Sequence, residues 1–220
     1  MSSPTQAFHS HPAATRRALL ATGATALAAA AAPAWLSPAL AQVRHLYLTP
    51  SQSEGPFYPV DLPVDIDFDL LRNGRVSYHR GQPTWVEGSV VDRDGIPVSG
   101  AVVEIWQCDH AGHYHHPGDG GRADPAFQGF GRVSVGRDGR YRFRTLRPAP
   151  YSGRTPHIHV KVRLDRKELL TTQLYVAGDP DNERDGLWRR LDEAGRAALT
   201  VPFKPVTDGL QARFPIVVQT

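Results

Sequence analysis

From residue 82 onward, apolar stretches of strand length are cut off from one another by Gly, Asp and Pro, and this punctuation limits the fold more than any other feature. Residues 85–91 and 101–107 are two such stretches, with Asp92-Arg93-Asp94-Gly95 as a turn between them. Residues 131–135 and 141–145 flank Asp138-Gly139, and 158–164 and 169–176 add another pair. Short runs of this kind bury one face of a strand and close by tight turns. Only 187–199 reads as helical, and 214–218 reads as a final strand. The expectation is an all-β chain, a β-sandwich of immunoglobulin or prealbumin-like type, with long loops and one short helix.

A different segment precedes this pattern. Thr15-Arg16-Arg17 leads into an alanine-rich apolar run, residues 18–36, and then Ser37-Pro38-Ala39-Leu40-Ala41. A charged start, an apolar middle and an Ala-x-Ala site describe a cleaved export signal, with cleavage after Ala41. Gly23 and Pro33 break the run, so it is a poor membrane span. The arginine pair before weak hydrophobicity fits the twin-arginine route, which exports folded proteins. The expected division is a twin-arginine signal at 1–41 and a single domain at 42–220, destined for the periplasm or the exterior with no stable membrane anchor.

The whole chain has a formal net charge of +3. The leader accounts for two arginines and no acids, which leaves the mature domain near +1. No basic run or RNA-binding motif occurs, so a nucleic-acid partner is not expected. The single cysteine, Cys108, excludes an internal disulfide and reads as a buried structural thiol.

Candidate chemistry gathers at Tyr151-Ser152-Gly153-Arg154-Thr155-Pro156-His157-Ile158-His159. Residues i and i+2 of a strand share a face, so His157 and His159 stand side by side as a metal site requires. The plain alternative is an exposed histidine pair on a surface strand. Upstream, proline density at 50–59 excludes a helix and implies an extended arm packed over something. Residues 60–71 read as a covering loop. A long loop at 108–130 carries Asp109, His110, His113, Tyr114, His115, His116 and Asp119, and most of its histidines read as solvent-exposed filler.

Two histidines leave a metal short of ligands. No carboxylate suited to a ferrous triad lies beside them, and the cysteines of a structural zinc site are missing. Tyrosine is the available donor, from Tyr114 in the long loop and Tyr151 beside the pair. Phenolate is a hard anionic ligand that favours Fe(III), although tyrosines in turns more often serve packing.

Glu104-Ile105-Trp106-Gln107, Gly112-His113-Tyr114, Pro148-Ala149-Pro150-Tyr151, Arg154 with Pro156-His157-Ile158-His159, and Gln173-Leu174-Tyr175 together resemble the intradiol ring-cleavage dioxygenases, closest to the protocatechuate 3,4-dioxygenase type. The likeness runs from Gln52-Ser53-Glu54-Gly55-Pro56-Phe57-Tyr58 to the last strand. It implies that Tyr114, Tyr151, His157 and His159 ligate one Fe(III), with hydroxide in the fifth position. It implies that Tyr151 is the axial phenolate that leaves when a catechol binds, with phenolate and hydroxide taking the catechol protons. Arg154 matches the arginine that stabilises charge on the substrate ring, and Gln173 the glutamine of the neighbouring strand. The implied reaction inserts both atoms of O2 between the two hydroxylated carbons and yields a cis,cis-muconate. The partners implied are a small catechol and O2, with a homo- or hetero-oligomer as the assembly.

The chain departs from the family in two places. His157 follows Tyr151 by only six positions, and Ser152-Gly153 stands where the family has more bulk, which implies a more open pocket. The N-terminal helical domain of the catechol and hydroxyquinol enzymes is absent. Two rival readings use parts of the same sequence. A secreted non-catalytic sandwich module, binding carbohydrate or acting as a spacer, would share the turn motifs but has no use for the His pair, Arg154 and Tyr114. A Zn or Cu hydrolase would use the histidines and leave the tyrosines unexplained.

Overall fold

The structure, a computed structural model, describes residues 45–220, so the expected leader lies outside the described residues. The described chain is mostly β-sheet. Its strands are β1 (Arg72–Asn73), β2 (Val76–Ser77), β3 (Pro83–Asp92), β4 (Val102–Trp106), β5 (Phe130–Ser134), β6 (Arg140–Leu146), β7 (His157–Leu164), β8 (Lys167–Val176), β9 (Thr200–Val201), β10 (Phe203–Val206), β11 (Gly209–Arg213) and β12 (Ile216–Val218).

One five-stranded sheet is built on β3. This strand pairs antiparallel with β6 along one edge. Along its other edge it pairs parallel with β11 in its first half and with β12 in its second. Gly88 lies at that handover, where a Cβ would meet the carbonyl oxygen of Phe214 at 2.0 Å, so no side chain fits. The other five-stranded sheet runs β5-β4-β7-β8-β9, with β4 antiparallel to both neighbours.

Alternation decides which side chains meet. Val86, Val90 and Phe143 of the first sheet share one buried cluster with Val103, Ile105, Ile158, Val160, Val162 and Leu174 of the second. Burying such a side chain stabilises the fold by roughly 1.5–3 kcal/mol, so this shared cluster dominates the energetics. The opposite face of β7 then carries His157, His159 and Lys161, which are nevertheless buried. What covers them is the arm. Thr49 N donates to Val217 O (3.0 Å), Gln52 N to Thr171 O (2.8 Å), and Thr172 Oγ1 to Pro50 O (2.7 Å).

The single expected helix is two. Helix α1 (Gly186–Arg189) and helix α2 (Glu193–Leu199) are separate because Asp185 and Asp192 each cap a new start. The β10–β11 hairpin, the β1–β2 hairpin and β9 were not expected. Asp208-Gly209 and Asn73-Gly74 are the turn dipeptides that could have revealed the two hairpins. Pro205 hides β10 from a strand reading, since proline donates nothing to a ladder and is confined to edges.

Candidate metal centre

His157 and His159 face each other with Nε2 atoms 3.2 Å apart. Their burial is nearly complete, at 1% and 0% exposure. His157 Nδ1 donates to the Thr155 carbonyl (2.6 Å), which leaves its Nε2 as a lone pair. Burial, then the charge of Arg154, pushes His157 down to about 4, so the ring is neutral at ordinary pH. His159 is held well below its usual range, by burial first and then by His157. Its Nδ1 is buried without a hydrogen-bond partner. Trp106 is its cross-strand neighbour on β4, and the indole stacks on the imidazole at 4.8 Å and 7°.

Both tyrosines reach this pair. Tyr114 follows β4 in the long loop, 2% exposed, with its ring 6.1 Å from His159 and 4.9 Å from Tyr151. Its Oη is buried with no hydrogen-bond partner, and burial raises its pKa well above the usual phenol value. The loop that holds it is pinned by acids. Asp109 Oδ1 accepts from Ala111 N and His113 N, and Asp119 Oδ2 accepts from Tyr114 N (2.8 Å). Phe57 of the arm stacks on the Tyr114 ring at 4.7 Å. Tyr151 lies 5.3 Å from His157, centroid to centroid.

Tyr151 and Arg154 are brought together by the shortest of turns. Arg154 N donates to Tyr151 O (2.8 Å), and the two residues between have φ of +43° (Ser152) and +76° (Gly153). Both lie in the left-handed region, as a primed hairpin turn demands. The turn leaves a depression of about 300 Å³ lined by Tyr151, Ser152, Gly153, Arg154, Asp181 and Arg184. A larger cavity is lined by residues of β3, β6 and β11, including Glu87, Arg142 and Arg213, and by neither histidine.

Arg154 Nη2 donates to Gln173 Oε1 (2.7 Å), and Gln173 is the cross-strand partner of His159 on β8. All six residues singled out in the sequence therefore meet in one place. Asp185 was not foreseen. It is a buried carboxylate that accepts from Arg154 Nε (2.6 Å), and only its position before Gly186-Leu187, a helix start, gave any signal. Among the described residues no three His, Cys, Asp or Glu side chains converge. Any metal at the His pair must therefore draw its remaining protein ligands from elsewhere.

Of the other loop histidines, His110 and His115 are exposed, as expected, yet they and His116 also make bonds that hold the loop. His115 Nε2 donates to Phe127 O (2.6 Å), His116 Nδ1 accepts from Gly118 N (3.0 Å), and His110 Nδ1 bonds Tyr78 Oη (2.6 Å). These bonds satisfy backbone and side-chain groups that a long loop would otherwise leave unpaired. His113 Nδ1 stands 3.5 Å from Asp119. Cys108 is fully buried, as expected, and burial pushes its thiol up to about 12.

Residues 53–217 match a family described as Dioxygenase. The chain is 35% identical over 159 residues to the protocatechuate 3,4-dioxygenase beta chain of Burkholderia cepacia, covering 67% of this chain and 68% of that protein. It is 31% identical over 193 residues to hydroxyquinol 1,2-dioxygenase of Corynebacterium glutamicum, covering 74% of this chain and 61% of the relative. The dioxygenase domain of a dioxygenase carbohydrate-binding protein fusion from Streptomyces sp. SirexAA-E superposes with a TM-score of 0.64 at 32% identity, over 79% of this chain and 99% of that one. With the family model spanning most of the described residues, the chain belongs to the intradiol ring-cleavage dioxygenases, a family of oxidoreductases.

Proposed function

We propose that this chain is an Fe(III)-dependent intradiol dioxygenase, opening a catecholic ring with O2 between its two hydroxylated carbons to give a cis,cis-muconate-type product. One observation carries the reading. Two neutral imidazoles present nitrogens 3.2 Å apart, and a buried phenol oxygen with no partner, Tyr114 Oη, shares their surroundings with Tyr151. A buried unpartnered phenol is costly, and its anion more so, unless a cation stands beside it. With no carboxylate or thiolate cluster among the described residues, the donor set is two imidazoles and two phenols, which suits a hard trivalent ion. Tyr114, Tyr151, His157 and His159 would hold it. Ferric iron held there would supply Lewis acidity toward the oxygens of a catechol.

The chain's own residues do the rest. Tyr151 is the less buried phenol and borders the open depression, so its Oη, having given up its own proton to hold the ion, would be the base placed for a catechol proton. Arg154 faces the negative charge that develops on the oxygenated ring, and Gln173 fixes its orientation. Trp106 and Phe57 wall the site with aromatic surface and keep water from the histidines. In this reading the two five-stranded sheets form a sandwich of immunoglobulin or prealbumin-like type. Residues 1–41 act as a twin-arginine leader, and the domain at 42–220 works after export, alone or as an oligomer. No helix among the described residues is long and apolar enough to cross a membrane. A spacer module needs none of the buried polar groups, and a Zn or Cu hydrolase leaves both phenols idle.

The test is oxygen uptake by iron-loaded protein with catechol, protocatechuate and hydroxyquinol, together with 18O2 labelling of the product. Uptake with both labelled atoms in a ring-opened diacid is expected. A colourless zinc protein that consumes no O2 with any of them would overturn the proposal. For the leader, replacing Arg16 and Arg17 with lysine should trap the precursor in the cytoplasm, and unimpaired export would remove the twin-arginine route.

A further inference from the structure

Asp185 does more than cap a helix. Its Oδ1 accepts from Leu187 N (2.9 Å) and Trp188 N (3.0 Å), closing the first turn of α1. Its Oδ2 accepts from Arg154 Nε (2.6 Å) and Thr155 N (3.1 Å), on the turn that carries Tyr151. The guanidinium continues through Nη2 to Gln173 Oε1 (2.7 Å), and Gln173 Nε2 donates to Ser53 O of the arm (2.9 Å). One carboxylate thus begins a chain of contacts that joins the α1 segment, the Tyr151–Arg154 turn, β8 and the arm.

Capping alone does not explain this residue. Asp192 caps α2 from the surface with one bond, to Gly195 N (2.7 Å). The Asp185 side chain is wholly buried, where a carboxylate is costly unless paired. An uncharged Asn or Ser serves a cap equally well. Burial alone would raise the Asp185 pKa, yet the bond and charge of Arg154 hold it below the ordinary range, so it stays ionised. Arg154 is 21% exposed and lines the depression beside Tyr151, so the cation is both anchored behind and open in front.

We propose that Asp185 is a positioning residue for ring cleavage, fixing the Arg154 guanidinium through Nε so that the free edge of its planar fork is presented to the reacting ring. The proposal rests on the ring-cleavage reading given above. Its physical basis is that guanidinium donors are rigidly disposed, so holding two edges fixes the third.

The experiment compares wild type, Asp185→Asn, Arg154→Ala, the double variant and Arg154→Lys, all iron-loaded, with kcat, KM and visible absorption measured per iron. Asparagine keeps Oδ1 for the α1 cap and removes the charge that holds Arg154. Asp185→Asn should retain iron and colour, leave KM within a few-fold, and lower kcat by about 10²-fold. The double variant should be no slower than Arg154→Ala. Arg154→Lys should fall nearly as far as Arg154→Ala, because an ammonium is a point charge without the fork. Wild-type turnover in Asp185→Asn, multiplying losses in the double variant, or a largely active Arg154→Lys would each overturn the proposal. The lysine variant remains decisive even where Asp185→Asn does not fold. Thermal unfolding of the same proteins supplies a readout independent of turnover: the Asp185 and Arg154 losses should be non-additive, and simple additivity would rule out the pairing. A wild type that cleaves no catechol would remove the ring-cleavage reading itself, while the unfolding cycle still reports on the pair.

Discussion

Gly55 lies against the edge of the His159 imidazole, where a Cβ would stand 3.3 Å from Cε1. Its φ of +73° is in the left-handed region, so glycine answers both a backbone and a space requirement there. Gly55→Ala should therefore destabilise the fold by about 1–2 kcal/mol and also speed iron loss to a chelator. Gly100→Ala is the control: its φ is +80° but nothing lies within 4 Å of the new atom. It should lose similar stability and keep its iron. Equal iron release from both variants would show that the arm does not press on His159.

Removal of single donors sorts the histidines and tyrosines. His157→Ala, His159→Ala and Tyr114→Phe should each lose iron, and with it the visible phenolate-to-iron band that should colour the wild-type protein wine-red. His113→Ala should keep both, since its ring stands against Asp119. Metal analysis beside the absorption spectrum checks all four, and full iron occupancy in His157→Ala would mean the site is elsewhere.

Acid should unfold the iron-free protein through the buried histidines. His157 binds its proton at about 4 when folded, against 6.5 as the ordinary value. Above pH 6.5 neither state is protonated and the full stability is present. As pH falls from 6.5 towards about 4 the unfolded chain takes the proton first, so stability is lost, by roughly 3 kcal/mol for this group alone. Urea midpoints across that window should fall steadily. A flat profile would show that His157 is hydrated in the iron-free fold.

Cys108 should be inert. Its thiol is fully buried, raised to about 12 by burial, and donates to Ala149 O (3.4 Å). Thiolate is the reactive form, so disulfide reagents should label it only after denaturation. Prompt labelling of the native protein at mildly alkaline pH would contradict this burial.

The strand core and the histidine pair were legible because they announce themselves locally, whereas Tyr114, Tyr151, Arg154 and Gln173 were singled out through the family resemblance. Val86, Ile105, Phe143 and Ile158 repeat at period two between turn residues, and the two histidines share that period on β7. What stayed hidden depends on contacts across the chain. Nothing beside Asp185 in sequence says that Arg154, 31 positions earlier, will take its charge. Pro205 masks an edge strand, and the break in the helix at 190–192 follows from a second cap that a periodicity reading averages away. The exposure of His110 and His115 was legible, but their bonds were not, because their partners, Tyr78 Oη and Phe127 O, lie far from the pattern that introduces them.

The stitching of Thr49 to Val217 has a consequence for how the protein is made. Thr49 N donates to Val217 O, and Val217 N returns the bond to Thr49 Oγ1 (2.9 Å). The arm is among the first parts of the domain to be synthesised, and β12, which holds its root, is the last strand. A nascent chain whose β12 has not yet emerged lacks only this root tie, while the ties of Pro50, Gln52 and Ser53 to β8 beside Gly55 can already form. On the ferric reading, the wall over His159 depends first on β8, and β12 fixes only the far end of the arm, so the site can close before the last described strand is made.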